Sequence, residues 1–323
     1  MIRRVLGRSG IEVPAVAIGT WAIGGTWWGG TDQADSIAAV RAALDAGIGF
    51  IDTAPIYGFG RSEEIVGRAI AGRDRSSLVV ATKCGLDWEG TDGPFFFEID
   101  GRRVHRNLRP ARIRREVEDS LRRLGVDSID LIQTHWQDPT TPIAESMGEL
   151  VRLRDEGKVA AIGVSNATTA QMNEYLSVGP LASNQAKYSM LDRGIEAADL
   201  PFCRDRDIAV LAYSPLALGL LTGTVTADRV FGAGDQRRGH RRFTPENIAA
   251  VNALLVRFDA LRRAHGLTMT QLAIAWTISR PGVTTALVGV RTPEQAREMA
   301  GGGVVLAPAD LAAMDAMIAE AGV

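Results

Sequence analysis

Short apolar runs in this chain repeatedly end in a polar or ionisable side chain, as in GIGFID with Asp52, LVVATK with Lys83 and IDLIQTH with His135. Strand-like runs at about 14–20, 48–53, 78–83, 129–135, 160–165, 182–187, 208–213 and 285–290 alternate with helix-like segments of roughly ten to sixteen residues. A β-then-α rhythm puts helices over a parallel sheet, and about eight repeats predict closure into an α/β fold, a (β/α)8 TIM barrel. In such a barrel, separate strand ends meet at one mouth, so Asp52, Tyr57, Lys83 and His135 form a candidate site.

Helix boundaries agree with that count. Asp32 precedes QADSIAAVRAALDAG, which closes at Gly47; PARIRREVEDSLRRLG runs from Pro110 to Gly125, and PIAESMGELVRLRDEG from Pro142 to Gly157. Thr292-Pro293-Glu294-Gln295 reads as a capping box with a first-turn proline. No composition shift or Pro/Ser-rich linker divides the 323 residues, so one domain over 1–323 is expected. Two stretches exceed ordinary loops, 84–109 and 215–245, and both follow predicted strands, at the chemical end of the barrel. Helix-like segments near 246–265 and 309–320 are extra to the alternation.

With 36 Lys+Arg against 38 Asp+Glu, the surface as a whole has no field to attract nucleic acid or an anionic membrane. Cys84 and Cys203 alone cannot build a disulfide framework. No run approaches the ~18 apolar residues of a membrane span, and Gly7, Arg8, Ser9, Glu12 and Pro14 interrupt any signal-peptide core, so a cytoplasmic location is expected. There is no G-x-G-x-x-G and no P-loop, so a nucleotide would have to be held by other groups.

The segments GFIDTAPIYGFGRSEEIVG, LVVATK, DLIQTHW, AAIGVSN, NQAKYS, LAYSPL and GVRTPEQ, in this order over nearly the whole chain, resemble the aldo-keto reductase superfamily. Its bacterial general-stress reductases and the reductase-like β subunits of potassium channels are included in the likeness. The resemblance implies a barrel holding NADP(H) across its C-terminal mouth and reducing carbonyls without a metal. It implies a catalytic tetrad of Asp52, Tyr57, Lys83 and His135. It further implies Gly19, Thr20, Trp21 and Asp52 around the nicotinamide ribose, Ser165, Asn166 and Gln185 on the carboxamide, and Tyr213 stacked on the ring. Ser214, Pro215, Leu216, Ala217 and Leu218 would cradle the pyrophosphate, with Arg237 or Arg238 reaching the phosphates from the second long loop. Gly289, Arg291, Gln295 and Glu298 would take the adenosine end. Met299 stands where many members carry Asn, Ala167 where an aromatic is common, and Lys187 where a neutral or acidic residue is frequent.

The chemistry explains the residue types. Carbonyl reduction needs a hydride and a proton, and tyrosine, with an ordinary pKa near ~10, is a weak acid at neutral pH. A shift of ~2–3 units is worth roughly 3–4 kcal/mol, comparable with a charge pair about 4 Å apart, so Lys83 is expected to acidify Tyr57. Asp52 would keep Lys83 protonated, and His135 would orient the substrate oxygen. Arg291 beside a helix N-terminus offers an anion site for a 2′-phosphate, favouring NADP over NAD. Trp21, Trp28, Trp88 and Trp136 are candidate walls of a substrate pocket for small carbonyl or alcohol compounds. Two other classes carry some of the same residues: a Schiff-base lyase acting through Lys83, and a nucleotide-sensing binding module. A sugar or polyol dehydrogenase using NADP would share the tetrad. Neither the oligomeric state nor the preferred direction is written in the sequence.

Overall fold

Alternation along the strands sorts the side chains of this barrel. The computed structural model describes residues 1–323. Its barrel strands are β1 (Val16–Gly19), β2 (Phe50–Asp52), β3 (Val79–Cys84), β4 (Ile129–Thr134), β5 (Val159–Ser165), β6 (Ser183–Lys187), β7 (Ala209–Tyr213) and β8 (Val283–Gly289). All pair in parallel, each with its neighbours in sequence, and β8 closes onto β1. One parity points inward: Ala17, Phe50, Val79, Ala81, Leu131, Ala161, Leu211 and Leu287 belong to an inner cluster of 12 buried residues. The other parity, including Ile18, Ile51, Val80, Ile132, Ile162 and Val288, faces the helices in a cluster of 71 buried residues. With a side-chain period of two, each strand carries both layers.

The helices form where their apolar spacing and end signals predict. Helix Pro110–Leu124 has proline in its first turn and Gly125 in the left-handed conformation at its end, and it buries Ile113, Glu116, Val117, Ser120 and Leu124 on one stripe. Helix Gln33–Asp45 is capped by the Asp32 side chain, which accepts from the Asp35 amide. The expected capping box at Thr292 is half formed: Thr292 accepts from Gln295, while the Gln295 side chain accepts from the Arg291 amide at 2.8 Å. Helices Pro245–Arg257, Asp259–Ala264 and Pro308–Ala321 are the additions to the repeat.

The N-terminal hairpin, Arg3–Val5 against Glu12–Pro14, covers the end of the barrel opposite the mouth. Arg4 donates to the carbonyls of Ile278, Val283 and Thr284, and Leu6 and Val13 are fully buried against the inner cluster. At the mouth, the stretch 84–109 is folded rather than a plain loop. Leu86–Asp87, Phe95–Ile99 and Arg102–Arg106 make a three-stranded antiparallel sheet. Asp100 and Gly101, at φ 50 and 71, turn its hairpin. Asp-Gly is the sequence signal for such a turn. The second long stretch contains short 3-10 turns at Ala217–Thr222 and Arg241–Phe243 and crosses to the loop after β1 through a bridge between Trp28 and Asp235. No helix is long and apolar enough to cross a membrane.

Candidate active site

The inward parity that is apolar at the base of the barrel turns polar near its top. Phe50 is followed by Asp52, Val79 and Ala81 by Lys83, Leu131 by Gln133 and then His135, Ala161 and Gly163 by Ser165, and Leu211 by Tyr213. Lys83 is fully buried; its Nζ donates to Asp52 Oδ2 at 2.6 Å, the Thr53 carbonyl at 3.0 Å and the Tyr57 hydroxyl at 3.3 Å. Outside the strand, Thr82 donates to the buried Glu63 at 2.6 Å, and Glu63 also accepts from Arg123. Strand β3 is thereby tied to the helices Arg61–Ile70 and Pro110–Leu124.

Tyr57 lies in a tight turn after β2, placed by a close backbone approach. A side chain on Gly24 would stand 2.6 Å from the Tyr57 carbonyl carbon, and one on Gly58 would stand 2.4 Å from the Gly24 oxygen. Gly58 also has φ +70, which L side chains rarely adopt. His135 meets Tyr57 edge-on with ring centroids 5.8 Å apart. All four tetrad residues therefore converge, three of them at hydrogen-bonding distance.

The electrostatics differ from the expectation in one respect. Burial raises the Tyr57 pKa above the ordinary tyrosine value, and the neighbouring Lys83, pulling the other way, does not overcome it. The phenol is therefore protonated at neutral pH rather than acidified. Burial draws Lys83 down, but Asp52 and Tyr57 outweigh it and hold the ammonium above its usual range. Removal from water, with Lys83 beside it, keeps His135 well below the ordinary histidine value, so the ring is neutral.

Above the tetrad opens a cavity of about 640 Å³ lined by Tyr57, His135 and Asp52 and, along its length, by Gly19, Thr20, Trp21, Ser165, Asn166, Gln185, Tyr213, Ser214, Pro215, Leu216, Leu218, Arg237, Gly289, Arg291, Gln295 and Glu298. Ala217 is buried behind this wall, and Met299 faces it. Trp28 and Trp136 line the cavity, whereas Trp88 lies outside its lining, edge-on to Phe59 at 5.6 Å within the small aromatic cluster that also includes Tyr57 and Trp136. Trp27, another tryptophan of the predicted mouth, takes part in the wall, as do Phe96 and Phe97. Phe96 and Phe97 lie on the lid strand Phe95–Ile99, before the Asp100-Gly101 turn, in the apolar run PFFFEI that reads as lid packing. Lys187 points elsewhere, pairing with Asp192 at 3.2 Å.

Several walls are already internally bonded. Tyr213 donates to Asn166 Oδ1 at 3.0 Å, and Asn166 Nδ2 donates to Ser165 Oγ at 3.0 Å and the His135 carbonyl at 3.3 Å. Ser214, Ala217 and Leu218 have φ of 56, 48 and 59, and Asn166 has φ 55. Non-glycine residues held there signal a locally over-determined backbone at a binding surface. Arg291 gives its guanidinium to the carbonyls of Gly30 at 2.7 Å and Trp28 at 3.3 Å, and Arg237 pairs with Asp235 at 2.6 Å. Glu298 accepts from Thr268 at 2.8 Å. Gln133 escaped the sequence reading: its amide donates to Asp52 Oδ1 at 3.0 Å, beside Gln185 Nε2 at 2.7 Å. Its position two residues before His135, on the same strand face, was the available signal.

An eight-stranded barrel whose mouth gathers Asp, Tyr, Lys and His below an elongated cavity defines a class of oxidoreductase built on this fold. The aldo/keto reductase family model matches residues 15–319, and the chain belongs to that family. It is 43% identical over 318 residues, 97% of each chain, to the NADH-specific methylglyoxal reductase of Escherichia coli. The glycerol dehydrogenase structure of Gluconobacter oxydans superposes with a TM-score of 0.88 at 42% identity, covering 98% of this chain and 95% of that one. An aldo-keto reductase of Klebsiella pneumoniae in complex with NADPH gives 0.72 at 30% identity, covering 98% and 96%. The chain is thus an enzyme, a nicotinamide-dependent oxidoreductase of this family.

Proposed function

We propose that residues 1–323 act as one domain that reduces aldehydes and ketones reversibly to alcohols with NADP(H), Tyr57 exchanging the proton with the carbonyl oxygen. The observation that carries this reading is the contact of Lys83 Nζ with Asp52 at 2.6 Å and Tyr57 at 3.3 Å, at the floor of the cavity. The buried indole N–H groups of Trp21 and Trp28 have no partner in the protein, and both residues line that cavity. Together with the side-chain amide of Gln185, the Tyr213 ring and Arg291, they fit a dinucleotide and a small oxygenated substrate. Ser165, Asn166 and Gln185 would hold the carboxamide, and Tyr213 the nicotinamide face. When bound, that cofactor supplies the hydride.

The chain's own part is proton delivery. A neutral His135 can donate a hydrogen bond to the substrate oxygen, and a protonated Tyr57 can release its proton to the same atom as charge develops there. The phenolate left behind has a buried ammonium beside it. A Schiff-base role for Lys83 is disfavoured because it is fully buried and held charged, while a nucleophilic amine must be neutral and accessible. A pure nucleotide sensor would not need the assembled tetrad.

NADP is preferred in this reading because Arg291 stands next to the helix starting at Pro293. Its bonds to the Gly30 and Trp28 carbonyls, and the relative named NADH-specific, favour NAD as the second reading. A comparison of kcat/KM with the two cofactors separates them. Sugar or polyol oxidation is the alternative direction, tested by following nicotinamide absorbance with carbonyls one way and alcohols the other. Tyr57→Phe tests the central assignment: turnover should fall at least about a hundredfold while cofactor binding is retained. Retained turnover removes Tyr57 as the proton donor.

A further inference from the structure

The carboxylate at the floor of the site is held from two sides. Asp52 Oδ2 receives Lys83, while Oδ1 receives two side-chain amides, Gln133 Nε2 at 3.0 Å and Gln185 Nε2 at 2.7 Å. The same Gln185 nitrogen also donates to Gln133 Oε1 at 3.2 Å. Gln133 and Gln185 are both buried, and Gln185 alone of the two reaches the cavity wall.

The chemistry of these groups fixes their orientation. An ionised carboxylate only accepts, so both glutamines must turn their nitrogens toward Asp52. Gln133 then has its oxygen toward Gln185, where it takes the second N–H of that amide. Both hydrogens of Gln185 Nε2 are consumed inside the protein, and its Oε1 is the end left for the cavity. That oxygen is an acceptor, complementary to the NH2 of a nicotinamide carboxamide.

We infer that Gln133 is a positioning residue with two separate duties, resting on the nicotinamide reading above: its nitrogen holds Asp52 in line with Lys83, and its oxygen, taking the second N–H of Gln185, reinforces the orientation that Asp52 sets and steadies the Oε1 that faces the cofactor. The first duty bears on the proton-delivery unit. The second bears on recognition of the carboxamide. A residue that merely filled the barrel would serve both through packing and could not be divided.

Two substitutions divide them. Gln133→Glu keeps an acceptor for Gln185 but sets a second carboxylate against Asp52; Gln133→Leu removes both contacts at similar volume. The test measures turnover and, by fluorescence titration, the affinity of each protein for the ordinary cofactor and for its 3-acetylpyridine analogue, which lacks the carboxamide NH2. The wild type should prefer the carboxamide cofactor. Both variants should lose about tenfold or more in kcat; Gln133→Glu should keep the preference, and Gln133→Leu should lose about fivefold of it, the value of one hydrogen bond.

Gln133→Leu with the wild-type preference, or Gln133→Glu losing as much of it as Gln133→Leu, overturns the inference. So does a wild type that binds both cofactors equally. A wild type that binds no nicotinamide cofactor overturns the function reading itself, which distinguishes the two failures. Thermal melts establish that each variant folds, and Gln133→Met, unbranched and flexible, replaces Gln133→Leu if that protein does not.

Discussion

Tyr57 shows how burial and charge compete at a single hydroxyl. The sequence placed an ammonium beside it and suggested an acidified phenol; the structure adds a low-dielectric setting in which burial is the larger influence and the proton stays on. Lys83 still matters because it opposes that effect and stands ready for the phenolate. Replacing it removes the one group lowering the Tyr57 pKa, leaving burial and Asp52 to raise it further. Lys83→Met should therefore reduce kcat by roughly 10²–10⁴-fold. Cofactor affinity should change far less, because Lys83 lies beneath the cavity floor rather than in its wall. Rapid single-turnover measurement checks this; a variant with near-normal hydride transfer would show that proton delivery does not run through the lysine. The four tetrad positions were legible from the sequence because each sits at or just after a strand end. Gln133 is less legible: its place two residues before His135 puts it on the inward face, but its role shows only once Asp52 and Gln185 stand beside it.

Among the elements, the sheet after β3 leans on a buried carboxyl group. Glu116, on helix Pro110–Leu124, accepts from the Gly85 amide at 2.5 Å and from Arg112 at 3.1 Å, and Arg112 also meets Asp87 and Glu89 at the start of the lid. Burial raises the Glu116 pKa from 4.5 to about 7, with Arg112 opposing the rise. The folded protein therefore holds a proton there that the unfolded chain releases near pH 4.5. Its contribution is fully present below that pH and is lost as pH rises through about 7. Thermal melts should show wild-type Tm falling relative to Glu116→Gln across this window; parallel curves for the two proteins would sink the assignment. Barrel strands and helices were readable because their periods differ and their caps are local. The lid strands are harder to read, because their hairpin is short, half-exposed and packed chiefly through Phe96 and Phe97 onto the aromatic mouth.

Across the whole molecule, the two ends of the barrel have separate duties. The mouth holds polar groups under partly bonded loops, while the far end is closed by the N-terminal hairpin and its apolar contacts. Leu6 is fully buried there, so Leu6→Ala should cost about 2–5 kcal/mol of stability. Denaturant melts should record that loss while KM stays unchanged below the transition; a shifted KM would mean that the base communicates with the mouth. Cofactor preference was the least legible property at this scale. Arg291 is where the sequence put it, but the loop after β1, distant in sequence, supplies the carbonyls that occupy its guanidinium.

The arginine-pinned hairpin also gives the molecule a handle. Met1 is 49% exposed, and the residues after it are stitched to the closed pole through Arg4. A bead, an electrode or a carrier joined through a side chain of this hairpin would hold the enzyme with its opening turned outward, free to exchange small molecules with the surrounding liquid.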